Sequence, residues 1–436
     1  INLHDYIDKN SDFLKKKYLD FIYYFENQKI SGKKFRDHFD IIERHNLWQM
    51  SILKENSPFN NYSLVNSIKF IAISQIIKKK KIKKIEFKFF DEKFKNYLIK
   101  YLDNDNLKFL FLDTIKKKNN NIILLIIPKI IKSFFYFIIK ILNFYSFSEN
   151  KKSFNSKDLL ILSHFSHFDE SKLSKNFFTP YQWYGIDKVF DKKNYLQIFN
   201  SSKKFKKFKA AFNFVNSEKK LKREIKIING YLDFLILSKV IWYYLINVFK
   251  YFFIKRKLNQ NKTKFIKYLT IINQKSIDES FYGSSSMLNL LFIFLFEKFF
   301  SKNRKILNVI YLMENQPWEK AFLVAWKRNN HGRSIGYSHT TVNYWHLNYF
   351  KSKNYYKPNI LNLEKNYLPD KIAVAGKSAY NFFKTQGIPN NRLIKVESLR
   401  YNWLESLPKI QKTHNNKVLI LGDYDDQYNI KLLNII

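Results

Sequence analysis

The sequence predicts an α/β fold, a largely parallel sheet with helices on both faces. Two observations carry it. Short apolar runs alternate with longer stretches of helical periodicity along most of the chain. In addition, 46% hydrophobic and 18% aromatic residues among 436 supply a large core, which excludes global disorder. The length fits two ordinary domains, or one large domain with an attached fragment.

The elements follow in order. Residues 1–60 read as helical, with Phe13, Leu14, Tyr18, Phe21, Ile22 and Phe25 at spacings of three and four. Leu47–Glu55 and Leu64–Ile77 suggest two more helices, and the lysine run from Lys78 to Lys84 reads as a solvated helix end. Charge and apolar residues alternate over Lys84–Phe89, a strand pattern. Further strands are expected at Asp158–Ser163, Lys305–Leu312, Ser334–Ser338, Lys371–Ala375, Leu393–Glu397 and Lys417–Leu421. Helical stretches separate most of them.

Seventy-seven Lys and Arg against 36 Asp and Glu leave a net charge of +41, which alone points to nucleic acid or an anionic membrane. The wider composition weakens that inference. Ile, Asn, Lys, Phe and Tyr all have A/T-rich codons, while there are only 9 Gly and 8 Pro. The absence of Cys excludes a disulfide scaffold, thiolate zinc sites, iron–sulfur clusters and a cysteine nucleophile. Residues Ile1–Asp5 show no signal-peptide pattern, and the chain stops on Leu432–Ile436 just after a strand begins, so it reads as a fragment of a longer protein.

Two apolar stretches bear on membranes. Residues 121–145 are interrupted by Pro128, Lys129, Lys132 and Lys140, and residues 231–254 by Asp233, Lys239 and Lys250. Neither reaches the roughly 18–20 uninterrupted apolar residues of a span, and Met287–Phe296 is shorter still. On a helix the lysines gather in a thin stripe, as expected of an interfacial helix, with burial in the core as the alternative.

Several motifs fail. Gly376-Lys377-Ser378 lacks the glycine of a phosphate loop, because Lys371 stands in its place. His164-Phe165-Ser166-His167 has no third ligand at a metal-type spacing and reads as a polar loop. Asp423-Tyr424-Asp425 reads as a turn. The unusual residues concentrate instead from residue 283 onward, where six of the nine glycines lie, Gly283 included. There Glu314 leaves one strand, Pro317 and Glu319 open the next helix, and His339 ends the next strand. In open α/β sheets ligands bind outside the carboxyl ends of the strands, so Glu314, Glu319 and His339 are expected on one rim. Helix capping by Glu319 and a turn contact by Glu314 are the alternative.

These residues carry a resemblance. Leu47-Trp48, Ser51–Asn56, Met313-Glu314-Asn315-Gln316-Pro317-Trp318-Glu319, Ile335–Thr340, Lys371–Gly376, Gly387-Ile388-Pro389 and Val396–Tyr401 together resemble bacterial surface-carbohydrate biosynthesis proteins of the O-antigen and lipopolysaccharide type. Those look like two-Rossmann-domain (GT-B) glycosyltransferases, and the resemblance covers most of residues 45–405. Tyr337-Ser338-His339 departs from the Gln-His pairing of that family, which leaves the role of Ser338 open.

The resemblance implies a Rossmann-like acceptor domain over residues 1–405, with residues 1–80 as a helical appendage. Residues 406–436 would then be a linker and the start of a donor domain, and the fragment alone would be inactive. It implies transfer of a sugar from a nucleotide-sugar to a glycan or lipid-linked glycan, with the protein peripheral at the inner face of the cytoplasmic membrane. Glu314, His339 and Glu319 are the catalytic candidates; Gln316, Trp318, Ser338 and Arg400 would bind substrate. No metal and no cofactor beyond the nucleotide-sugar substrate is expected. A non-catalytic basic protein that binds nucleic acid or anionic membrane is the other reading. Nucleic acid is not the expected partner, because the lysines spread along the whole chain rather than gather in one module.

Overall fold

The computed structural model describes residues 2–80, 84–87, 90–102, 108–111, 114–115, 126–146, 154, 158–165, 183, 186, 193–202, 205–217, 224–258, 262–357, 364–399, 401, 404, 420–422 and 426–434. They form two compact units, residues 1–400 and 401–436. In the second unit Asp426–Leu433 is helical. Most of the strand expected at Lys417–Leu421, and the turn at Asp423–Asp425, lie outside the described residues.

Seven strands make the main sheet of the first unit. They are β1 (Leu159–His164), β2 (Lys193–Ile198), β3 (Glu224–Ile227), β4 (Asn308–Leu312), β5 (Arg333–Ser338), β6 (Lys371–Ala375) and β7 (Leu393–Val396). Every neighbouring pair is parallel, in the order β3-β2-β1-β4-β5-β6-β7. The α/β expectation holds, and the order is compatible with a Rossmann-like fold. Gly336 lets β5 pass the end of β4, since a Cβ there would stand 2.8 Å from Met313 Sδ.

Three expectations change. Lys84–Phe87 is a strand, but it pairs with Lys108–Phe111 in a separate parallel pair, so the main sheet begins at Leu159. Strands β2 and β3 were not expected. Their Lys, Asn and Gln mask the apolar pattern, yet β2 is buried throughout, and Ser163 Oγ donates to Gln197 Oε1 at 3.2 Å inside the sheet. Residues 28–46, expected as helix, instead form two small antiparallel pairs and a 3-10 turn. Ser31 and Gly32 both have positive φ (49° and 83°), the geometry of a tight hairpin turn.

Eight longer helices matter: α1 (Ser11–Asn27), α2 (Leu64–Lys80), α3 (Ile126–Phe144), α4 (Phe234–Lys257), α5 (Lys264–Tyr282), α6 (Ser284–Lys302), α7 (Pro317–Arg328) and α8 (Gly376–Thr385). Helices α4, α5 and α6 together form the crossover from β3 at the sheet edge to β4 at its centre. Asp233 explains why α4 starts at Phe234: its carboxylate accepts from Ile236 N at 2.7 Å, capping the helix. Pro128 sits in the first turn of α3, where no backbone donor is needed.

The N-terminal residues are not an appendage. Leu14, Tyr18, Phe21, Ile22 and Phe25 of α1 form one apolar face and share a core with Leu160, Ile372 and Val374 of the sheet. A buried ion network fastens them. Glu26, fully buried, holds Arg36 at 3.2 Å and Lys54 at 2.7 Å and accepts from Trp48 Nε1 at 2.6 Å. Arg36 also reaches Glu364 at 3.3 Å, which in turn takes Gln49 at 3.1 Å and Lys351 at 3.5 Å. The first 60 residues are thereby tied to the connection between β5 and β6.

Removing one partner from such a network strands a buried charge. Arg36→Ala is expected to lower the unfolding free energy by about 3–5 kcal/mol, read from urea denaturation. Burial alone would raise the Glu364 carboxyl, but Lys54, Lys351 and Arg36 outweigh it and hold it well below the usual carboxylate range. A depressed folded value contributes stability above the unfolded value of about 4.3, lost as pH falls below it. The loss of melting temperature below that pH should therefore be shallower in Glu364→Gln than in the wild type.

Candidate functional site

In a sheet of this order the crevice lies where the winding reverses, between β1 and β4, outside their carboxyl ends. A cavity of about 480 Å³ occupies that place, within the range of small-molecule sites. His164 from the end of β1, Asn200 and Ser201 after β2, and Gln316 and Trp318 from the start of α7 supply its polar wall. Tyr136, Ile139, Lys140 and Phe144 of α3, with Leu288 and Phe292 of α6, supply much of the rest.

The turn from β4 to α7 is held from below by two buried ionisable residues. Glu319 is fully buried, and its Oε1 accepts from Glu314 N at 2.8 Å and Gln316 N at 2.9 Å. This is helix capping, the alternative weighed for Glu319 above. Burial pushes its carboxyl up, against the pull of Lys320. Lys320, also buried, donates to Asn315 Oδ1 at 2.9 Å and is pushed down by burial. Asn315 has a φ of 56°, a left-handed conformation that Asn tolerates better than most residues. This kink turns Glu314 and Gln316 toward the rim.

Above the turn, Glu314 and His339 meet. Glu314 Oε1 lies 3.7 Å from His339 Nε2, and its Oε2 accepts from Gln316 Nε2 at 2.5 Å. Trp318 Nε1 donates to Gln316 Oε1 at 2.7 Å, so both ends of the Gln316 amide are fixed. The Glu314 side chain keeps 35% of its surface exposed, while His339 is buried. Burial raises the Glu314 carboxyl, and the Gln316 hydrogen bond only partly offsets that. Glu314 thus stands one hydrogen bond from the cavity wall, through Gln316, with the His339 imidazole 3.7 Å away on its other oxygen.

The structure thus brings Glu314, Glu319, His339, Gln316 and Trp318 to one rim, with Gln316 and Trp318 in the cavity wall. Ser338 is buried beside them but does not line the cavity, and its Oγ has no hydrogen-bond partner among the described residues. Arg400 lies outside the described residues. His164 was read as part of a polar loop and is instead a wall of the cavity, its ring 5.5 Å from Trp318 and its Nδ1 2.9 Å from Asn200 Nδ2. Its signal was available: like His339, it closes an apolar strand at the carboxyl rim. Among the described residues no three His, Asp or Glu gather in a way that would hold a metal ion. Comparison with protein-family models, curated proteins and solved structures gave no match.

Glu319 is assigned here to holding the turn, and two variants test that. Glu319→Ala leaves two backbone donors without their acceptor and is expected to cost about 2–3 kcal/mol in denaturant unfolding. Glu319→Gln keeps an acceptor oxygen and resembles the neutral acid that burial favours, so it should stay within about 1 kcal/mol of wild type.

Proposed function

We propose that residues 1–400 are the acceptor-side domain of a GT-B-type glycosyltransferase, which passes a sugar from a nucleotide-sugar to a surface glycan or a lipid-linked glycan at the inner face of the cytoplasmic membrane. One observation carries it: the Glu314–His339 pair stands at adjacent strand ends beside a cavity at the reversal point of a parallel sheet. The resemblance read from Met313–Glu319 and Ile335–Thr340 falls on the same residues.

The chemistry asks for such a pair. As the acceptor oxygen bonds to the anomeric carbon, the bond to the departing nucleoside diphosphate breaks and takes its electrons with it. The acceptor's proton must go to a base within about 2.6–3.2 Å, or through one water. Glu314 is that base in this reading, since it is partly exposed and its neighbour Glu319 is committed to backbone donors. His339 faces Glu314 Oε1 and steadies the ionised carboxylate that then takes up the acceptor's proton, while Gln316 and Trp318 present the acceptor from the cavity wall. The nucleotide-sugar is a substrate, and the reading requires no metal.

The protein, expressed with its native flanking sequence, should release nucleoside diphosphate from a nucleotide-sugar in the presence of a glycan acceptor. Glu314→Gln is expected to cut turnover by about 2–4 powers of ten with the melting temperature unchanged. Because burial raises Glu314, wild-type turnover should fall as pH drops through a value above the ordinary ~4.3 of a free Glu. That limb should be missing from the residual activity of Glu314→Gln. Sugar transfer at full rate by that variant, or no transfer from any nucleotide-sugar, would sink the reading.

A further inference from the structure

Helices α3 and α4 touch at Phe134 and Tyr244, whose rings lie 5.3 Å apart and edge-on. Each turns a broad apolar face outward. Phe135, Ile138 and Leu142 on α3 and Trp242, Leu245 and Phe249 on α4 are all exposed, Leu142 by 76% and Trp242 by 64%. At about 100° per residue, each triplet falls within an arc of roughly 60°. Exposed lysines flank each arc on one side: Lys132, and further round Lys129, on α3, and Lys239, Lys250 and Lys257 on α4 roughly 60–80° beyond the arc. The exposed Arg256 falls within the α4 arc, and Lys255 lies on the face turned to α5. Neither helix contains an Asp or Glu. Exposed aromatic and aliphatic side chains gathered in one place are uncommon on a soluble monomer.

We infer that the outward faces of α3 and α4 form one docking surface for a membrane carrying anionic lipid, with both helices lying in the plane of the headgroups. Charge complementarity selects this occupant: the apolar arc enters the acyl boundary, and the lysine edge meets the phosphates. The geometry also argues against the simpler alternative of a span. Helix α4 is long and apolar enough to cross a membrane. Its other face, however, is fixed to α5 by polar groups: Tyr251 Oη donates to Asp278 at 2.7 Å, Lys255 Nζ at 2.8 Å, and Gln274 donates to Tyr251 Oη at 2.8 Å. Carrying α4 through a bilayer would bring that network with it, whereas lying flat leaves it in the protein. The inference rests on these two helix faces and is independent of the chemistry at Glu314. It places the cavity at the membrane surface, because Tyr136 and Ile139 are both exposed on α3 and part of the cavity wall.

Flotation tests it. The full chain is mixed with vesicles of phosphatidylcholine alone, or of phosphatidylcholine with about one-third phosphatidylglycerol. Wild type is expected to rise with the anionic vesicles at least about tenfold more than with the neutral ones. Replacing Phe135, Leu142, Trp242 and Phe249 together by Ser should lower that partition at least about tenfold. Lys132→Glu, Lys239→Glu and Lys250→Glu together should abolish the preference for anionic lipid. If the Ser variant does not fold, quenching of wild-type fluorescence by brominated lipid, reduced in Trp242→Tyr, reads the same contact. Wild type that floats with neither vesicle overturns the inference, as does a folded Ser variant that floats unchanged. A dimer dispersed by the same Ser substitutions, in a chain indifferent to vesicles, would give the face to a second copy and overturn it as well.

Discussion

Two carboxylates share three cations inside this protein, and the placement of the carboxyl rim depends on them. Glu26 and Glu364 would each be costly to bury alone. Together with Arg36, Lys54 and Lys351, and with donors from Trp48 and Gln49, all four of their oxygens are engaged. Such a network adds little net stability over apolar packing of the same volume, but it punishes any misplacement of its members. Its members come from α1, from the segment after it and from the connection that leaves β5 at His339. The first 60 residues are therefore part of the frame of the site.

The influence of those charges continues inward. Lys320 feels Lys351, Lys54 and Glu364 on one side and Glu319 on the other, and burial pushes it toward its neutral form. Burial does the same to Glu319 and lifts the nearby Glu55 carboxyl to about 7. The groups below the turn thus lean toward neutrality. A neutral Glu319 spares Glu314 the repulsion of a second carboxylate, so burial and Gln316 govern its proton affinity.

Much of the fold was legible because its strands are loud. Strands β1, β4, β5, β6 and β7 are apolar runs between polar breaks, and each was placed within about three residues of its observed start. Strands β2 and β3 were silent because Asn194, Gln197 and Lys226 are buried polar residues, and Gln197 finds its partner in Ser163, 34 positions back in the chain. The turn from Glu314 to Glu319 was legible as a helix start, and the two roles of its carboxylates were visible as rivals. Only the backbone donors that converge on Glu319 Oε1 separate them. The ion network could not be read, since Glu26, Arg36, Lys54 and Glu364 look in sequence like any surface charges.

The long crossover between β3 and β4 has a consequence for how the molecule is made. Strand β1 pairs with β2 on one side and with β4 on the other, and β4 follows only after three long helices. During synthesis the inner edge of β1 waits on the order of ten seconds for its second neighbour, with unpaired backbone and buried-type side chains open to solvent. Contacts of such long sequence separation also close slowly. The crevice between β1 and β4 is the seam along which the two halves of the sheet are joined, so the cavity, with His164 on one side and Gln316 and Trp318 on the other, comes into being only when that seam closes.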